Sequence, residues 1–435
     1  MSIPASTNSH SRKCGTESPL PSSPLGEVTS TPPKGGDKGG LYLHVPFCQS
    51  RCIYCDFYST TLGRDIMVSY ARALEREMLR RKHYIECTRV HTIYLGGGTP
   101  SLLPAEVLTD IFGAINRHFT LSPDAEVTIE ANPDDVTPEW MQSLSVTPVN
   151  RISMGAQTFN DELLSFLGRR HNAQQTIRAV ETCKNAGITN ISLDLIYGLP
   201  GQTMADWQHD VESALSLGIT HLSAYALSYE KGTRLDGMLH KGLVHEADEE
   251  LSREMYNYLM DATEKAGFLH YEISNFALPG YHSRHNSSYW QGVPYLGLGA
   301  GAHSYDGRRT RRANLPDIKA YIESVEGQES MVNGTPPAPE HQLERKKWLN
   351  GKCPDVPHET EELSDEMLYN EFVMTRLRTS DGIPLSELST EKRQYCLSMA
   401  EPHLASHHLR IHGDRLCLTK EGIFTSNDII SDLMV

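Results

Sequence analysis

Residues 41–57 have the sequence Leu41-Tyr-Leu-His-Val-Pro-Phe-Cys48-Gln-Ser-Arg-Cys52-Ile-Tyr-Cys55-Asp-Phe57, an apolar run followed by three cysteines. The apolar run is predicted to be a β-strand, and the spacing C-x3-C-x2-C lets the loop after it bring three thiolates to one inorganic centre. A 4Fe–4S cluster has four irons, so three cysteines leave one iron without a protein ligand. That iron can bind a small molecule, and we therefore predict an iron–sulfur centre with one open position.

The cysteine loop is also compatible with a redox pair or with part of a zinc site. Cys52-Ile-Tyr-Cys55 has the C-x2-C spacing that both of them use. A structural zinc site needs a fourth ligand, usually from a second C-x2-C pair, and the chain has no second pair. Cysteines that are only small buried side chains can also fall at this spacing by chance.

Composition limits the class of protein. With 435 residues, 39% of them hydrophobic, the chain is long enough for one large domain and a smaller one. The formal net charge of −15 argues against general binding to nucleic acids, which are not expected as partners. Nine dispersed cysteines, an odd count, are typical of a reducing compartment, and no apolar run is long enough to cross a bilayer. Because no signal or transit peptide is recognisable, we expect a cytoplasmic protein.

The chain divides into four predicted segments. Residues 1–39 are rich in Ser, Thr, Pro and Gly and are predicted to be a disordered tail. Residues 40–275 alternate β-rich runs with amphipathic stretches, which predicts an α/β fold, a partial (β/α)6 TIM-like barrel. Residues 276–340 are expected to extend the barrel, and residues 341–435 to form a small, mainly helical C-terminal domain.

Three shorter segments carry local predictions. The run Arg308-Arg-Thr-Arg-Arg312 is the main basic feature and is predicted to be a solvated loop. Tyr271-Glu-Ile-Ser-Asn-Phe276 is predicted to be one strand. Residues 346–362 are polar and are expected to be a linker.

Polar residues and glycines follow or end several predicted barrel strands, where the active sites of barrels are built. A glycine turn lets backbone amides approach an amino-acid head group, an arginine can pair with a carboxylate, and acids or amides can bind ribose hydroxyls and an ammonium. Taken singly, a glycine turn can be only a tight turn, and an acid at a strand end can be only a helix cap. Together they suggest a pocket for a nucleoside joined to an amino acid, lined by Gly97, Gly98, Thr99, Glu130, Gln157, Arg169 and Asp194.

The order of the motifs resembles that of the oxygen-independent coproporphyrinogen III oxidase (HemN-like) family in the radical S-adenosylmethionine superfamily. Besides the cysteine loop, the motifs are Gly96-Gly-Gly-Thr-Pro100, Glu130-Ala-Asn-Pro133, Ser153-Met-Gly-Ala-Gln157 and Asp194-Leu-Ile-Tyr-Gly-Leu-Pro200. The resemblance implies a 4Fe–4S cluster on Cys48, Cys52 and Cys55, exchangeable S-adenosylmethionine, and an electron donor such as a flavodoxin or ferredoxin. The implied S-adenosylmethionine contacts are Tyr42, Tyr54, Gly97, Gly98, Thr99, Glu130, Gln157, Arg169 and Asp194.

Two features distinguish the chain from the oxidases of that family. The oxidases carry a further cysteine where this chain has Phe57, and they have a structured N-terminal extension. Both differences, with the motif His285-Asn-Ser-Ser-Tyr-Trp290, resemble the HemW branch, whose members are understood to bind haem and deliver it. The resemblance implies haem as bound cargo, with His285 as the candidate axial ligand and the two aromatic residues of the motif, Tyr289 and Trp290, packed on the macrocycle. His303 is a weaker candidate, and a hydrogen-bonded structural role is the alternative for both histidines.

We therefore predict a haem chaperone that transfers haem to an acceptor protein, for which a membrane respiratory enzyme is a candidate. The alternative is an oxygen-independent coproporphyrinogen III oxidase, in which an adenosyl radical abstracts hydrogen from propionate side chains before carbon dioxide is lost. A radical enzyme with an unrelated substrate is a third prediction. Whether the chain is an enzyme stays open on the sequence alone.

Overall fold

The computed structural model describes residues 38–326 and 355–435. The predicted tail, residues 1–39, lies outside these ranges except for its last two residues, with which the first strand begins. Most of the predicted linker, residues 346–362, also lies outside them. Within the described ranges, no helix combines the length and the apolar composition that a membrane span requires.

Six parallel strands form the barrel, and each pairs with its neighbours along the chain. They are β1 Lys38–Val45, β2 Arg89–Gly97, β3 Leu121–Ala131, β4 Arg151–Gln157, β5 Ile191–Tyr197 and β6 His221–Ala226. The helices that follow them are α1 Arg64–Arg81, α2 Ala105–His118, α3 Pro138–Leu144, α4 Asp161–Phe166, α5 Ala173–Asn185, α6 Met204–Ser216, α7 Arg234–His240 and α8 Glu249–Lys265. The prediction of a partial (β/α)6 barrel is confirmed.

The remaining elements extend the sheet and form the C-terminal region. Those that follow the barrel are β7 Leu269–Glu272, β8 Asn275–Ala277, α9 Arg284–Trp290, β9 Tyr295–Leu298, β10 His303–Tyr305, β11 Thr310–Asn314, α10 Ile318–Glu326 and β12 His358–Glu362. Those of the C-terminal region are α11 Asp365–Leu377, β13 Ile383–Pro384, α12 Thr390–Ala405, β14 Leu409–His412, β15 Arg415–Leu418, α13 Lys420–Phe424 and α14 Ser426–Leu433.

The strand order of the main sheet is β12-β11-β10-β9-β1-β2-β3-β4-β5-β6-β8-β7. Strand β9 is parallel to β1, whereas β10, β11 and β12 are antiparallel to their neighbours. The barrel is therefore extended on its β1 side by chain that comes after the six β/α units. Strand β12 falls where a linker was expected, so residues 358–362 belong to the sheet and that part of the linker prediction is wrong.

Side chains alternate along the barrel strands between the helical layer and the barrel interior. On β1 and β5 the aliphatic residues Leu41, Leu43 and Leu193 are completely buried in the main hydrophobic core, which also contains helical side chains. The residues between them, such as Tyr42 and Asp194, line a cavity inside the barrel. Because successive strand residues point to opposite faces, an aliphatic outer face and a polar inner face follow from one alternating pattern.

The buried carboxylate of Glu77 joins α1 to the extension of the sheet. Glu77 is 0% exposed, and its Oε1 accepts hydrogen bonds from Arg81 Nη1 at 2.7 Å and Asn314 Nδ2 at 2.8 Å. Its Oε2 accepts from the backbone N–H of Gly299 at 2.8 Å and from the Tyr321 hydroxyl at 2.6 Å. Four partners from four parts of the chain thus converge on one carboxylate, and they satisfy both of its oxygens.

The basic run 308–312 is not the solvated loop that we predicted. Residues 310–312 of the run belong to β11, which lies between β10 and β12, and its four arginines form ion pairs with acids outside those two strands. The ion pairs are Arg308 with Glu86, Arg309 with Asp365, Arg311 with Glu371 and Arg312 with Asp355. Two of these acids are on α11, so the run fastens the C-terminal region to the extended sheet.

The segment predicted as one strand over residues 271–276 is a hairpin of two strands, β7 and β8. The carboxylate of Glu272 accepts hydrogen bonds from the backbone N–H of Ser274, at 3.0 Å, and from the Asn275 amide, which closes the turn. The N–H of Ile273 donates to the carbonyl of Arg378 in the C-terminal region at 3.1 Å. The hydrogen bond to Arg378, which is distant in the sequence, therefore holds Ile273 in the turn between the two strands.

The C-terminal region has its own hydrophobic core, which includes Tyr369, Val373, Leu377 and Leu433. As predicted, helices α11, α12 and α14 supply most of its residues. A small antiparallel sheet in the order β13-β15-β14 was not predicted. Its strands are two to four residues long, which is too short for a period-2 pattern to be recognised in the sequence.

Replacing Glu77 by alanine should lower the free energy of unfolding by about 3 kcal/mol or more, because Arg81 would stay buried without its partner. Glu75→Ala is the matched control on the same helix. Glu75 is 40% exposed and pairs with Arg117 on the surface, so its loss should cost less than about 1 kcal/mol. Urea unfolding followed by circular dichroism measures both changes, and equal losses would contradict the structural role of Glu77.

Candidate functional site

One cavity of about 450 Å³ lies inside the barrel and opens at the carboxyl ends of its strands; we call it the barrel cavity. Every residue predicted for cluster, cofactor or axial haem contact lines it, with the exception of the weaker candidate His303. They are Tyr42, Cys48, Cys52, Tyr54, Cys55, Gly97, Gly98, Thr99, Glu130, Gln157, Arg169, Asp194 and His285. Its volume is that of a small-molecule site, which usually measures about 300–1,000 Å³.

The cysteine loop is attached to the barrel by backbone and side-chain hydrogen bonds. The N–H of Cys48 donates to the carbonyl of Thr60 at 2.9 Å, and the N–H of Ile53 to that of Leu167 at 3.2 Å. The Thr99 hydroxyl lies 3.6 Å from the sulfur of Cys48, and Arg169 Nη1 lies 3.5 Å from that of Cys52. Donors aimed at two of the three sulfurs suit thiolates, which are the form that binds iron.

The described part of the chain contains no group of three or more His, Cys, Asp or Glu side chains close enough to hold one metal ion together. A 4Fe–4S cluster differs from such a site because each cysteine binds a separate iron. Burial raises the pKa of the Cys55 thiol to about 11, so a bound cation would be needed to hold this residue as a thiolate.

The glycine turn after β2 is joined to the start of the cysteine loop. The N–H groups of Gly98 and Thr99 donate to the carbonyls of Val45 at 2.9 Å and Phe47 at 2.7 Å. A Cβ added at Gly98 would lie 2.6 Å from the carbonyl oxygen of Val45. Glycine is therefore required at position 98 by the backbone of the neighbouring loop, a reason that the turn sequence did not reveal. At Gly97 the backbone has φ +104°, which also favours glycine.

Glu130 is held at the end of β3 by two hydrogen bonds. The hydroxyl of Tyr94 donates to its Oε1 at 2.7 Å, and the N–H of Gly97 donates to its Oε2 at 3.0 Å. Asp194 stands on β5 inside the barrel, where burial raises the pKa of its carboxyl to about 6 despite a hydrogen bond with Ser223. Each carboxylate keeps lone pairs for a ligand in the barrel cavity.

Gln157 ends β4 in a left-handed conformation with φ +66°, which is uncommon for a residue other than glycine. The residues after it are fixed by the buried carboxylate of Asp210. This carboxylate accepts hydrogen bonds from the Thr158 hydroxyl at 2.8 Å, the Phe159 N–H at 2.5 Å and the Gln202 amide at 3.2 Å. A strained backbone held by a buried network is typical of functional sites.

Arg169 connects the cysteine loop with β4. One amino group of its guanidinium points at the sulfur of Cys52, while the other donates to the side chain of Asn132 and to the carbonyl of Gly155 at 2.7 Å. Its Nε is buried and has no hydrogen-bond partner among the described residues. This free donor in the barrel cavity is the kind of group that a ligand carboxylate can satisfy.

The two predicted tyrosine contacts both line the barrel cavity, Tyr42 from β1 and Tyr54 from the cysteine loop. The Tyr42 hydroxyl is 2.9 Å from His44 Nδ1, and His44 Nε2 is 2.9 Å from the carbonyl of Tyr58. Because a carbonyl only accepts, Nε2 carries the proton and Tyr42 donates to Nδ1. Tyr54 packs against the apolar cluster of Ile53, Leu235 and neighbouring side chains. Burial raises the pKa of both tyrosines, so both stay protonated.

His285 lies on α9, and both of its ring nitrogens are occupied. Nδ1 is 2.9 Å from the Thr92 hydroxyl, and Nε2 is 2.8 Å from the Tyr289 hydroxyl. The ring stacks on Tyr94 with centroids 5.1 Å apart. An axial bond to haem iron would require one hydrogen bond to break, so the role of His285 stays a prediction. Trp290 points away to the C-terminal region, where it is covered by Arg378, and His303 is exposed on β10.

Sequence reasoning missed several residues of the barrel cavity. Arg151, Ser153 and Ser223 lie on β4 and β6 and line it. On β4, the two missed residues are separated from Gln157 by even numbers of positions, so they share its face of the strand. That alternation is a signal that the sequence contains. Nothing in the sequence indicates, however, that Asn132 orients Arg169 or that Asp210 supports β4.

Two family models match the chain. The model of the Radical SAM superfamily matches residues 42–214, and that of the HemN C-terminal domain matches residues 363–425. The superfamily implies a 4Fe–4S cluster and S-adenosylmethionine, and the first match contains the cysteine loop and every predicted cofactor contact. The second match covers most of the C-terminal region with its separate core.

Relatives of known name resemble the chain over 65–94% of its length. "Heme chaperone HemW" of Mycobacterium tuberculosis is 34% identical over 411 residues, 94% of this chain and 98% of the relative. The protein of the same name in Bacillus subtilis is 41% identical over 285 residues, 65% of this chain and 75% of the relative. "Radical S-adenosyl methionine domain-containing protein 1, mitochondrial" of Bos taurus is 34% identical over 297 residues, 66% of each chain.

A solved structure has the same fold. The coproporphyrinogen III oxidase HemN from Escherichia coli, described as a radical SAM enzyme, superposes with a TM-score of 0.73. The match covers 93% of this chain and 92% of the oxidase at 18% sequence identity. At that identity the likeness shows that both the barrel and the C-terminal region share an architecture with the oxidase.

The raised pKa of Asp194 predicts a pH dependence of cofactor binding. If the ionised carboxylate accepts a hydrogen bond from S-adenosylmethionine, affinity is highest above the pKa of about 6 and falls as the pH decreases through it. From pH 7.5 to 5.5 the affinity should fall about fourfold, the factor that protonation of one such group gives. Calorimetry of the cluster-reconstituted protein measures this change. Asp194→Asn should bind S-adenosylmethionine more weakly, and its affinity should not change near pH 6. If the affinity of this variant still falls near pH 6, Asp194 is not the group that titrates.

Proposed function

The chain belongs to the HemW haem chaperone family of the radical SAM superfamily, and we propose on this premise that it binds haem and transfers it to an acceptor protein. The observation that carries the proposal is that the motif helix α9 lines the same cavity as the cysteine loop. A cargo bound by α9 would thus be close to the cluster and the cofactor. Similarity to relatives over 98% of their length supports a shared function.

We propose that Cys48, Cys52 and Cys55 hold the cluster and that the open iron takes S-adenosylmethionine. When bound, this pair supplies one-electron chemistry at a carbon–sulfur bond of the cofactor. The chain's own groups suit that occupant. The unpaired Nε of Arg169 fits a carboxylate, and the free lone pairs of Glu130 and Asp194 fit an ammonium or hydroxyl groups. The remaining proposed contacts are Tyr42, Tyr54, Gly97, Gly98, Thr99 and Gln157.

An aromatic wall supports haem as the cargo. The rings of Tyr42, Tyr94, His285 and Tyr289 follow one another along one side of the barrel cavity, with neighbouring centroids 6.3, 5.1 and 5.0 Å apart. Aromatic side chains bury large apolar area and interact favourably with the flat face of another π-system. A porphyrin is such a system, so this wall is where we expect the macrocycle to make contact.

Several parts of the proposal concern partners rather than the cavity itself. The acceptor is a haem protein, with a membrane respiratory enzyme as the candidate, and the electron donor is of the flavodoxin or ferredoxin class. A cytoplasmic location belongs to the same proposal. The oxidase alternative predicts decarboxylation of coproporphyrinogen, which an anaerobic assay of carbon dioxide release distinguishes from haem binding without turnover.

Replacing Cys52 by alanine should abolish the iron–sulfur absorbance of the anaerobically reconstituted protein, because a cubane with only two protein thiolates lacks the ligands that hold it. Cys417→Ala is the control, since Cys417 lies in the C-terminal region outside the barrel cavity. Iron and sulfide content measure the result. Unchanged iron content in Cys52→Ala would exclude this residue as a ligand.

An anaerobic haem titration, followed through the porphyrin absorbance band, tests the function directly. Saturation near one haem per chain is expected, and His285→Ala should weaken it by about tenfold or more if His285 binds iron. His303→Ala is the matched control, because His303 is exposed and does not line the barrel cavity. Equal haem binding by the wild type and both variants would agree with the haem chaperone function and would show that His285 is not an axial ligand. Without saturable binding the haem function fails, and coproporphyrinogen becomes the first substrate to test.

A further inference from the structure

Arg151 is a buried arginine whose side chain has no partner among the described residues. It is 1% exposed, begins β4 and lines the barrel cavity. Its Nε and Nη1 form no hydrogen bond, and no carboxylate lies within 4 Å of it in the part of the chain that the structure describes. An arginine stays protonated in proteins, so the barrel interior contains a charge that these residues do not neutralise by contact.

The two histidines near Arg151 are neutral and add no charge. Burial lowers the pKa of His285 to about 3 and that of His221 well below its usual value, so both are uncharged. His221 is further occupied by Ser192 and Tyr271, each at 2.7 Å. Asp194 offsets part of the charge from beyond ion-pair distance, and Glu130, which Tyr94 and Gly97 hold by hydrogen bonds, lies on the neighbouring strand. A buried ion without a partner is destabilising, and a ligand of opposite charge would relieve that cost.

The position of Arg151 separates it from the expected cofactor head group. Gln157 ends β4 six residues later, which corresponds to about 20 Å along the strand. Arg169, whose free Nε suits the carboxylate of the cofactor, is at the Gln157 end, where it contacts Gly155. Arg151 therefore offers a second anion-binding point deeper in the barrel. Ser153, also buried, lines the cavity beside it and adds a hydroxyl donor.

We propose that Arg151 binds a carboxylate inside the barrel and that this carboxylate is a propionate arm of haem. The choice of haem rests on the function proposed above. Haem has two flexible arms that end in carboxylates, and a guanidinium pairs with a carboxylate through two parallel hydrogen bonds. The aromatic wall would contact the macrocycle while Arg151 fixes its orientation by one arm.

The test compares haem with haem dimethyl ester, in which both carboxylates are blocked. Both are titrated anaerobically into the cluster-reconstituted full chain and into Arg151→Met, which keeps an unbranched, flexible side chain and removes the charge. Wild type should prefer haem to the diester by about tenfold or more, the value of a charge-assisted pair, and Arg151→Met should lose that preference. Arg151→Lys should retain part of it. Arg312→Met, another strand arginine that is buried but paired and outside the cavity, should keep the full preference.

Three results would overturn the assignment. If wild type binds haem and the diester equally, haem binding stands and the carboxylate site fails. If Arg151→Met weakens S-adenosylmethionine affinity and leaves the haem preference intact, the carboxylate is that of the cofactor. If wild type binds neither porphyrin, the proposed haem function is wrong, and a haem propionate cannot be the ligand of Arg151.

Urea unfolding of the unliganded protein separates a ligand-binding arginine from a structural one. Replacing a structural arginine would lower the urea midpoint, whereas replacing a ligand-binding one would not. Because Arg151 has no partner to lose, Arg151→Met should unfold at the same or a higher urea concentration than wild type. A clearly lower midpoint would mean that the guanidinium holds the barrel together, and would overturn its assignment as a ligand site.

Discussion

The alternation of side chains along parallel strands is the constraint on which the rest of this structure depends. Helices cover the outer face of the barrel, so every second strand residue must be apolar, and residues such as Leu41 and Leu193 are completely buried there. Residues on the inner face are not covered by helices and can therefore be polar. In many barrels branched aliphatic side chains fill this space, whereas tyrosines, serines, acids and an arginine leave it open here. The polar inner face is thus both the cavity and its chemistry.

An open polar interior is held in shape by contacts outside it. The cysteine loop is joined to the glycine turn through the carbonyls of Val45 and Phe47, while Asp210 supports the strained end of β4. These are backbone contacts for the most part, so they position the loop without using side chains that a ligand needs. The unsatisfied donors of Arg151 and Arg169 belong to side chains that line this cavity.

The C-terminal region contributes to the site indirectly. Its helix α11 packs near α9, and Arg378 covers the indole ring of Trp290 with 5.2 Å between guanidinium and ring centroid. The basic run 308–312 anchors the same region through its ion pairs with Asp365 and Glu371 of α11, and β11 pairs with β12 through the backbone. The helix that carries His285 is therefore held between the barrel and the C-terminal core.

Elements whose signals are local could be predicted from the amino-acid sequence. The alternating runs predicted the barrel, and the spacing of Cys48, Cys52 and Cys55 predicted one loop, because both depend on neighbours a few residues apart. The tertiary structure decided what depends on distant partners. It alone shows that Gly98 is required by Val45, that the hydroxyls of Thr92 and Tyr289 occupy His285, and that Arg151 lacks a counter-ion among the described residues. Such facts need the distances between residues far apart in the chain, which no local pattern contains.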